Sequence, residues 1–245
     1  ALNFLGRYEE AITSYNKAIE LKPDYVETYN NMGNALNGLG KHEEAIVSFN
    51  KAIGLKPNYA EAYNNLGIAL NFLGRYEEAI TSYNKAIELK LDYVEAYENF
   101  SNVLTHYKPE FFSSQIAGNY LTILNLETVV RPNQMASSII VLLKHHDTLK
   151  EAINLINQNE LQDLTSELCT NLSKIPLFLK IIELCPIPDL EIENLLIELR
   201  RKLLIKRQTL SKNDNLLSFQ SSLALQCFTN EFVYGETEEE TAAVK

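Results

Sequence analysis

Residues 60–93 read AEAYNNLGIALNFLGRYEEAITSYNKAIELKLDY; everything before them repeats this stretch, and everything after them stops doing so. Displacing the chain by 34 residues superposes Ala11, Ala45 and Ala79, then Gly6, Gly40 and Gly74, then Ala18, Ala52 and Ala86, and last Pro23, Pro57 and Leu91. Residues 1–22 are identical to residues 69–90 at all 22 positions. A period of this length marks an array of supersecondary units, none of which can bury its apolar face alone.

Each unit reads as a helical hairpin. Within 26–39, Tyr29, Met32, Gly33 and Leu36 recur at spacings of three and four, which is one face of a helix. Within 42–54, Ala45, Ile46, Phe49, Ala52 and Ile53 do the same. Gly40 breaks the chain between the two helices, and Lys56-Pro57-Asn58 closes the second, because proline cannot continue a helix. Small residues at Gly33, Ala45 and Ala52 let the helices approach, and Tyr29, Leu36 and Phe49 fill the space beside them. His42 stands where the neighbouring units have Tyr8 and Tyr76, which makes it a packing substitution.

This pattern resembles the tetratricopeptide repeat (TPR). Its positions are held here by Tyr63, Leu66, Gly67, Leu70, Tyr76, Ala79, Tyr83, Ala86 and Leu91. Tyr63 replaces a common tryptophan, and Leu91 replaces the closing proline, so a looser turn is expected there. The resemblance covers 1–93 and extends to 106, where VEAYENFSNVL supplies the first helix of one more unit. It implies an all-α fold, with a solenoid of about three TPR hairpins over residues 1–106, the first of them truncated. Ala1 aligns with Ala69, inside a first helix, and no methionine precedes it, so the chain is expected to be a fragment of a longer protein.

In that family the first helices line a concave groove. Opposite the packed face, the first helices here carry Glu27, Asn30, Asn31, Asn34 and Asn37, then Glu61, Asn64, Asn65, Ile68 and Asn71, then Glu95, Glu98, Asn99, Asn102 and Thr105. Asn31, Asn65 and Asn99 make the most regular row. A carboxamide offers two donors and an acceptor, so a ladder of them can pair with the backbone of an extended peptide whatever its sequence. The resemblance thus implies a peptide or protein ligand in the groove. A similar asparagine ladder holds substrate in O-linked N-acetylglucosamine transferase. The competing reading is that Asn-Asn belongs to the generic repeat and only solvates an empty face.

After Tyr107-Lys108-Pro109 the register of 34 is lost, yet helical spacing continues through residues 107–234, ahead of an acidic tail at 235–245. Helices are expected over 110–126, from Pro132, from an Asp147 cap to about Asn157, and over 159–172, 174–185 and 188–207. The last begins with Asp189, Glu191 and Glu193 and ends with Arg200, Arg201, Lys202, Lys206 and Arg207. The helix macrodipole favours that order and accounts for the basic cluster without a nucleic acid.

The segments RPNQMASSIIVLLKHH, KIPLFLKIIELCPIPDLEIENLLIELRRKLL and FQSSLALQCFTNEFVYGETEEE resemble the linker of bacterial TPR proteins that continue into a class I S-adenosylmethionine-dependent methyltransferase domain. That resemblance implies a downstream catalytic domain in cis, with these residues as its regulatory part. No glycine-rich strand-turn-helix for the cofactor is present: of nine glycines, Gly6, Gly33, Gly38, Gly40, Gly67 and Gly74 belong to repeats. No catalytic residue and no cofactor is therefore assigned within the chain. Two alternatives stay open, a stand-alone scaffold or adaptor and the front of a glycosyltransferase like O-linked N-acetylglucosamine transferase.

Composition narrows the partners. A formal charge of −10 opposes nonspecific binding to nucleic acid, which needs phosphate-neutralising Lys and Arg. No apolar run approaches the ~18 residues that span a bilayer, and a cytoplasmic location is expected. Cys169, Cys185 and Cys227 are odd in number and widely spaced, which offers neither a disulfide framework nor a metal site. His145-His146-Asp147 has no third ligand at a suitable spacing.

Overall fold

Two short turns per repeat shape the array. After Leu39, Gly40 adopts φ 75°, and after Leu73, Gly74 adopts φ 72°, in the left-handed region that costs glycine little. Each closes a Schellman motif: the Lys41 amide donates to the Leu36 carbonyl at 2.9 Å and the Gly40 amide to Asn37 at 3.0 Å. One period later Arg75 donates to Leu70 at 3.0 Å and Gly74 to Asn71 at 3.0 Å. The chain leaves each first helix at the same angle because the same carbonyls are satisfied the same way.

The computed structural model describes residues 7–126, 131–158 and 166–205, with 219, 222 and 223. Among them every regular element is an α-helix. The first helices of the repeats are α2 (Val26–Gly38), α4 (Ala60–Phe72) and α6 (Val94–His106); the second helices are α1 (Tyr8–Leu21), α3 (His42–Leu55) and α5 (Tyr76–Leu89). The chain divides into two compact units, residues 1–104 and 105–245.

Within the first unit, the small positions read from the sequence sit where two helices meet. A Cβ on Gly33 would fall 2.5 Å from the Phe49 ring, and one on Gly67 would fall 2.7 Å from the Tyr83 ring. The hairpin therefore closes by laying an aromatic face on bare backbone, with Ala45, Ala52, Ala79 and Ala86 buried beside it. Between repeats, Tyr29 packs with Ala52 and Ala62, and so joins three helices. His42 stacks on Phe72 with ring centroids 4.7 Å apart, the packing role its aromatic neighbours suggested.

The turn at Leu91 is not looser than those at the prolines. Tyr93 donates to the Lys90 carbonyl at 3.2 Å, as Tyr25 does to Lys22 at 3.2 Å and Tyr59 to Lys56 at 3.1 Å. Lys22, Lys56 and Lys90 lie 4.9, 4.8 and 4.7 Å from the centroids of Tyr25, Tyr59 and Tyr93. Backbone bonding and this cation–π contact hold the geometry, so loss of the proline ring changes little.

The second unit contains α7 (Ser114–Leu124), α8 (Pro132–Lys144), α9 (Asp147–Asn157), α10 (Ser166–Leu172), α11 (Pro176–Leu184) and α12 (Leu190–Ile205). Ser113 caps α7, its hydroxyl accepting from the Ile116 amide at 3.4 Å, which shortens the helix expected from residue 110. Pro132 and Pro176 open α8 and α11 in the first turn. Asp147 is the first helical residue of α9, not its cap; His146 holds the cap position without a side-chain bond. Asp189 does cap α12, accepting from the Ile192 amide at 3.1 Å. Its other oxygen accepts from Lys144 Nζ at 2.5 Å, and Glu191 accepts from the same ammonium at 2.7 Å and from Asn157 at 3.1 Å. The ends of α8 and α9 are thus tied to the start of α12. Tyr120, Met135, Ile139, Leu142, Phe178 and Phe219 fill the core, and Ser222 donates to Glu183 at 2.6 Å. Expected features at 159–165, 206–207 and 235–245, and Cys227, lie outside the described residues.

One comparison inside the molecule isolates packing from sequence. Helices α1 and α5 have the same sequence, YEEAITSYNKAIEL. Ile80, Ser82, Tyr83, Ala86 and Ile87 are buried in α5, whereas Ile12, Tyr15, Ala18 and Ile19 are half-buried and Ser14 is exposed in α1. Propensity being equal, only neighbours differ. Backbone amides of 76–89 should exchange with solvent more slowly than those of 8–21, in peptides told apart by Leu91 and Pro23. Equal rates would show that α4 adds nothing to the stability of α5.

Candidate peptide-binding face

The residues expected along the groove occupy three different environments. Asn31, Asn34 and Asn102 are exposed. Asn65 and Asn99 are half-buried, as are Asn37 and Asn71 at the helix ends. Asn37 Oδ1 lies 2.5 Å from His42 Nδ1 and is occupied within its own repeat. Asn30 and Asn64, expected opposite the packed face, are instead buried, at 4% and 0% exposure. A first helix is covered by its own second helix and by the next first helix, so its buried arc is wider than one hairpin predicts.

Those two buried amides are bonded across repeats. Asn65 Nδ2 donates to Asn30 Oδ1 at 3.1 Å, and one period on Asn99 Nδ2 donates to Asn64 Oδ1 at 3.1 Å. Asn64 Nδ2 in turn reaches Glu95 Oε1 at 3.4 Å. The asparagine rows are therefore partly a clasp between successive first helices. Tyr59 and Tyr93, which the sequence reading passed over, lie beside it, Tyr59 near Asn30, Glu61 and Glu27 and Tyr93 near Asn64, Glu95 and Glu61. Burial, then Glu61 and Glu27, hold the Tyr59 hydroxyl above its ordinary pKa. Burial, then Glu95 and Glu61, push Tyr93 up to about 12. The signal was available, because Tyr-x-Glu recurs with the period at Tyr25/Glu27, Tyr59/Glu61 and Tyr93/Glu95.

What remains open to a ligand is the outer edge of this clasp. Asn31 and Asn34 present their carboxamides to solvent on α2, and Asn65 and Asn99 keep part of theirs. No group of three or more His, Cys, Asp or Glu among the described residues could hold a metal ion. His146 instead packs edge-on against Phe112, 4.6 Å between centroids, and burial lowers its pKa although Asp147 opposes this. Cys169 and Cys185 are buried, and burial pushes the Cys185 thiol up to about 11, away from reactive thiolate. No described helix is long and apolar enough to cross a membrane.

Comparison with known proteins agrees with the repeat geometry. Residues 1–40 match the family model for the TPR repeat, and residues 27–92 match that for the tetratricopeptide repeat. Residues 1–92 are thus tetratricopeptide repeats, a protein-interaction fold. Similar solved structures include the second TPR domain of human RPAP3 in complex with an HSP70 peptide, 27% identical over 42% of this chain and 85% of that one, with a TM-score of 0.41. MamA from Desulfovibrio magneticus is 21% identical over 51% of this chain and 70% of its own, with a TM-score of 0.45. A mutant Thermobaculum terrenum O-GlcNAc transferase is 23% identical over 49% of this chain and 23% of its own, with a TM-score of 0.43. No curated protein matches the sequence.

The clasp and the open edge separate by mutation. Asn64→Ala leaves Asn99 and Glu95 without this partner and is expected to destabilise the repeats by about 1–3 kcal/mol, whereas Asn31→Ala should stay within about 0.5 kcal/mol. Denaturant midpoints measure both, and equal losses would contradict the burial difference. In the second unit, a histidine whose folded pKa is depressed contributes stability that is present above the ordinary value near 6.5 and lost as pH falls through the folded value. The unfolding midpoint of that unit should therefore drop as pH falls from 7 toward 5, and less steeply in His146→Phe.

Proposed function

We propose that the first-helix face of residues 26–106 holds an extended peptide segment of a partner protein. The observation that carries this is the division of labour among the asparagines: buried Asn30 and Asn64 lock adjacent first helices together, while Asn31 and Asn34 stay exposed beside them. A carboxamide pair of this kind can serve a peptide backbone without reading its side chains. Preorganisation by the clasp lowers the cost of ordering the site on binding.

On this reading the chain contributes no catalytic residue. Residues 107–234 form the linker to a class I S-adenosylmethionine-dependent methyltransferase domain, for which the repeats select the substrate in the cytoplasm. The support is the sequence resemblance of 131–146, 174–204 and 219–240; a coding sequence that continues past Lys245 without a glycine-rich strand-turn-helix would leave an adaptor in place of an enzyme's front part.

The double variant Asn31→Ala, Asn34→Ala tests the groove. It is expected to keep the helical circular-dichroism signal and melting temperature of the parent, and to lose at least about tenfold in affinity for a partner captured by the parent. A partner retained equally by both proteins would remove the groove as its binding site.

A further inference from the structure

The first-helix face carries one sign of charge. Glu27, Glu61 and Glu95 recur at the second position of α2, α4 and α6, all exposed, and Glu98 adds a fourth carboxylate one turn along α6. Those three helices contain neither Lys nor Arg. In residues 7–104 every Lys and Arg falls on α1, α3, α5 or the turns.

Glu27, Glu61 and Glu95 form a row, since they hold the same position on successive first helices, whose neighbours are bonded through Asn65–Asn30 and Asn99–Asn64. The row is also unneutralised. The ion pairs of this unit, such as Arg75 with Glu78 at 2.7 Å and Lys85 with Glu88 at 2.7 Å, involve second-helix carboxylates. Among the described residues none of Glu27, Glu61, Glu95 and Glu98 has an ion-pair partner. The turn lysines are held over tyrosine rings instead.

We infer that the segment held on this face is cationic: an extended polypeptide with Lys or Arg side chains directed at Glu27, Glu61, Glu95 and Glu98 while its backbone meets Asn31 and Asn34. The inference rests on the peptide-binding reading above and adds the chemistry of the partner. An acidic segment would bring like charges beside four carboxylates with no cation on the same helices to receive it, a juxtaposition that disfavours the wrong partner. Because the row is exposed, attraction is screened by salt and acts on encounter as well as affinity.

Fluorescence anisotropy with the whole chain tests this, using fluorescein-labelled peptides of one length in which Lys, Gln or Glu alternates with Ser. The Lys peptide is expected to bind at least about tenfold more tightly than the Gln peptide, with the Glu peptide weaker still, and the preference should shrink as salt rises from about 50 to 200 mM. The variant Glu27→Gln, Glu61→Gln, Glu95→Gln, Glu98→Gln should erase the preference. A control with Glu9→Gln, Glu20→Gln, Glu44→Gln, Glu77→Gln removes the same formal charge from second helices and should retain it. Gln or Glu peptide binding as tightly as Lys, or a control that loses as much as the face variant, overturns the charge selection and leaves the groove standing. Binding of none of the three peptides removes the groove reading together with it.

Discussion

The contact on which the array depends is an aromatic ring laid against glycine backbone, Phe49 on Gly33 and Tyr83 on Gly67. It sets how closely the two helices of a hairpin approach, and the buried alanines of the second helix follow from that distance. Dispersion acts over such short separations that a missing methyl is worth more here than an added one. Once the hairpin is this thin, Tyr29 can touch both its own second helix at Ala52 and the next first helix at Ala62. Stacking is then a consequence of hairpin thickness, and each repeat finishes its core only when its neighbour is present.

Much of the first unit could be read in advance because its determinants are periodic and local. Glycine at the turn, alanine at the crossing and an aromatic opposite a glycine each act through residues only a few positions away, and each recurs at 34. The proline position misled, since the turn at Leu91 is held by main-chain bonds and the Lys90–Tyr93 contact, neither of which needs a pyrrolidine ring. The asparagine rows were legible as rows but not as environments. Whether Asn30 faces water depends on α4, which lies a full repeat away, and a single helical wheel cannot contain that information. The tyrosines beside the clasp were written in the same period, yet they precede the helices whose faces drew attention.

The second unit was legible to a lesser degree. Pro132 and Pro176 announce helix starts because a missing amide proton is harmless only there. Asp147 and Asp189 look alike in sequence, an acid at the head of an apolar pattern, but only Asp189 caps. It is also the residue that meets Lys144 from α8, so its position answers to a partner 45 residues away. Tertiary ion pairs of this kind select one cap over another without leaving a local trace, and non-periodic sequence offers no second copy against which to check.

The amide clasp between first helices has one more consequence. Apolar seams tolerate sliding, since one methyl substitutes for another, whereas an Asn–Asn bond made once per repeat to a buried carboxamide admits a single register. The face is accordingly a graduated scale: its carboxylates Glu27, Glu61 and Glu95 are spaced by the repeat itself and not by the ligand. A chain lying along it must either match that interval with its own side chains or fall out of phase after one or two marks. On the peptide-binding reading proposed above, length measurement then acts beside chemical affinity in what the surface accepts.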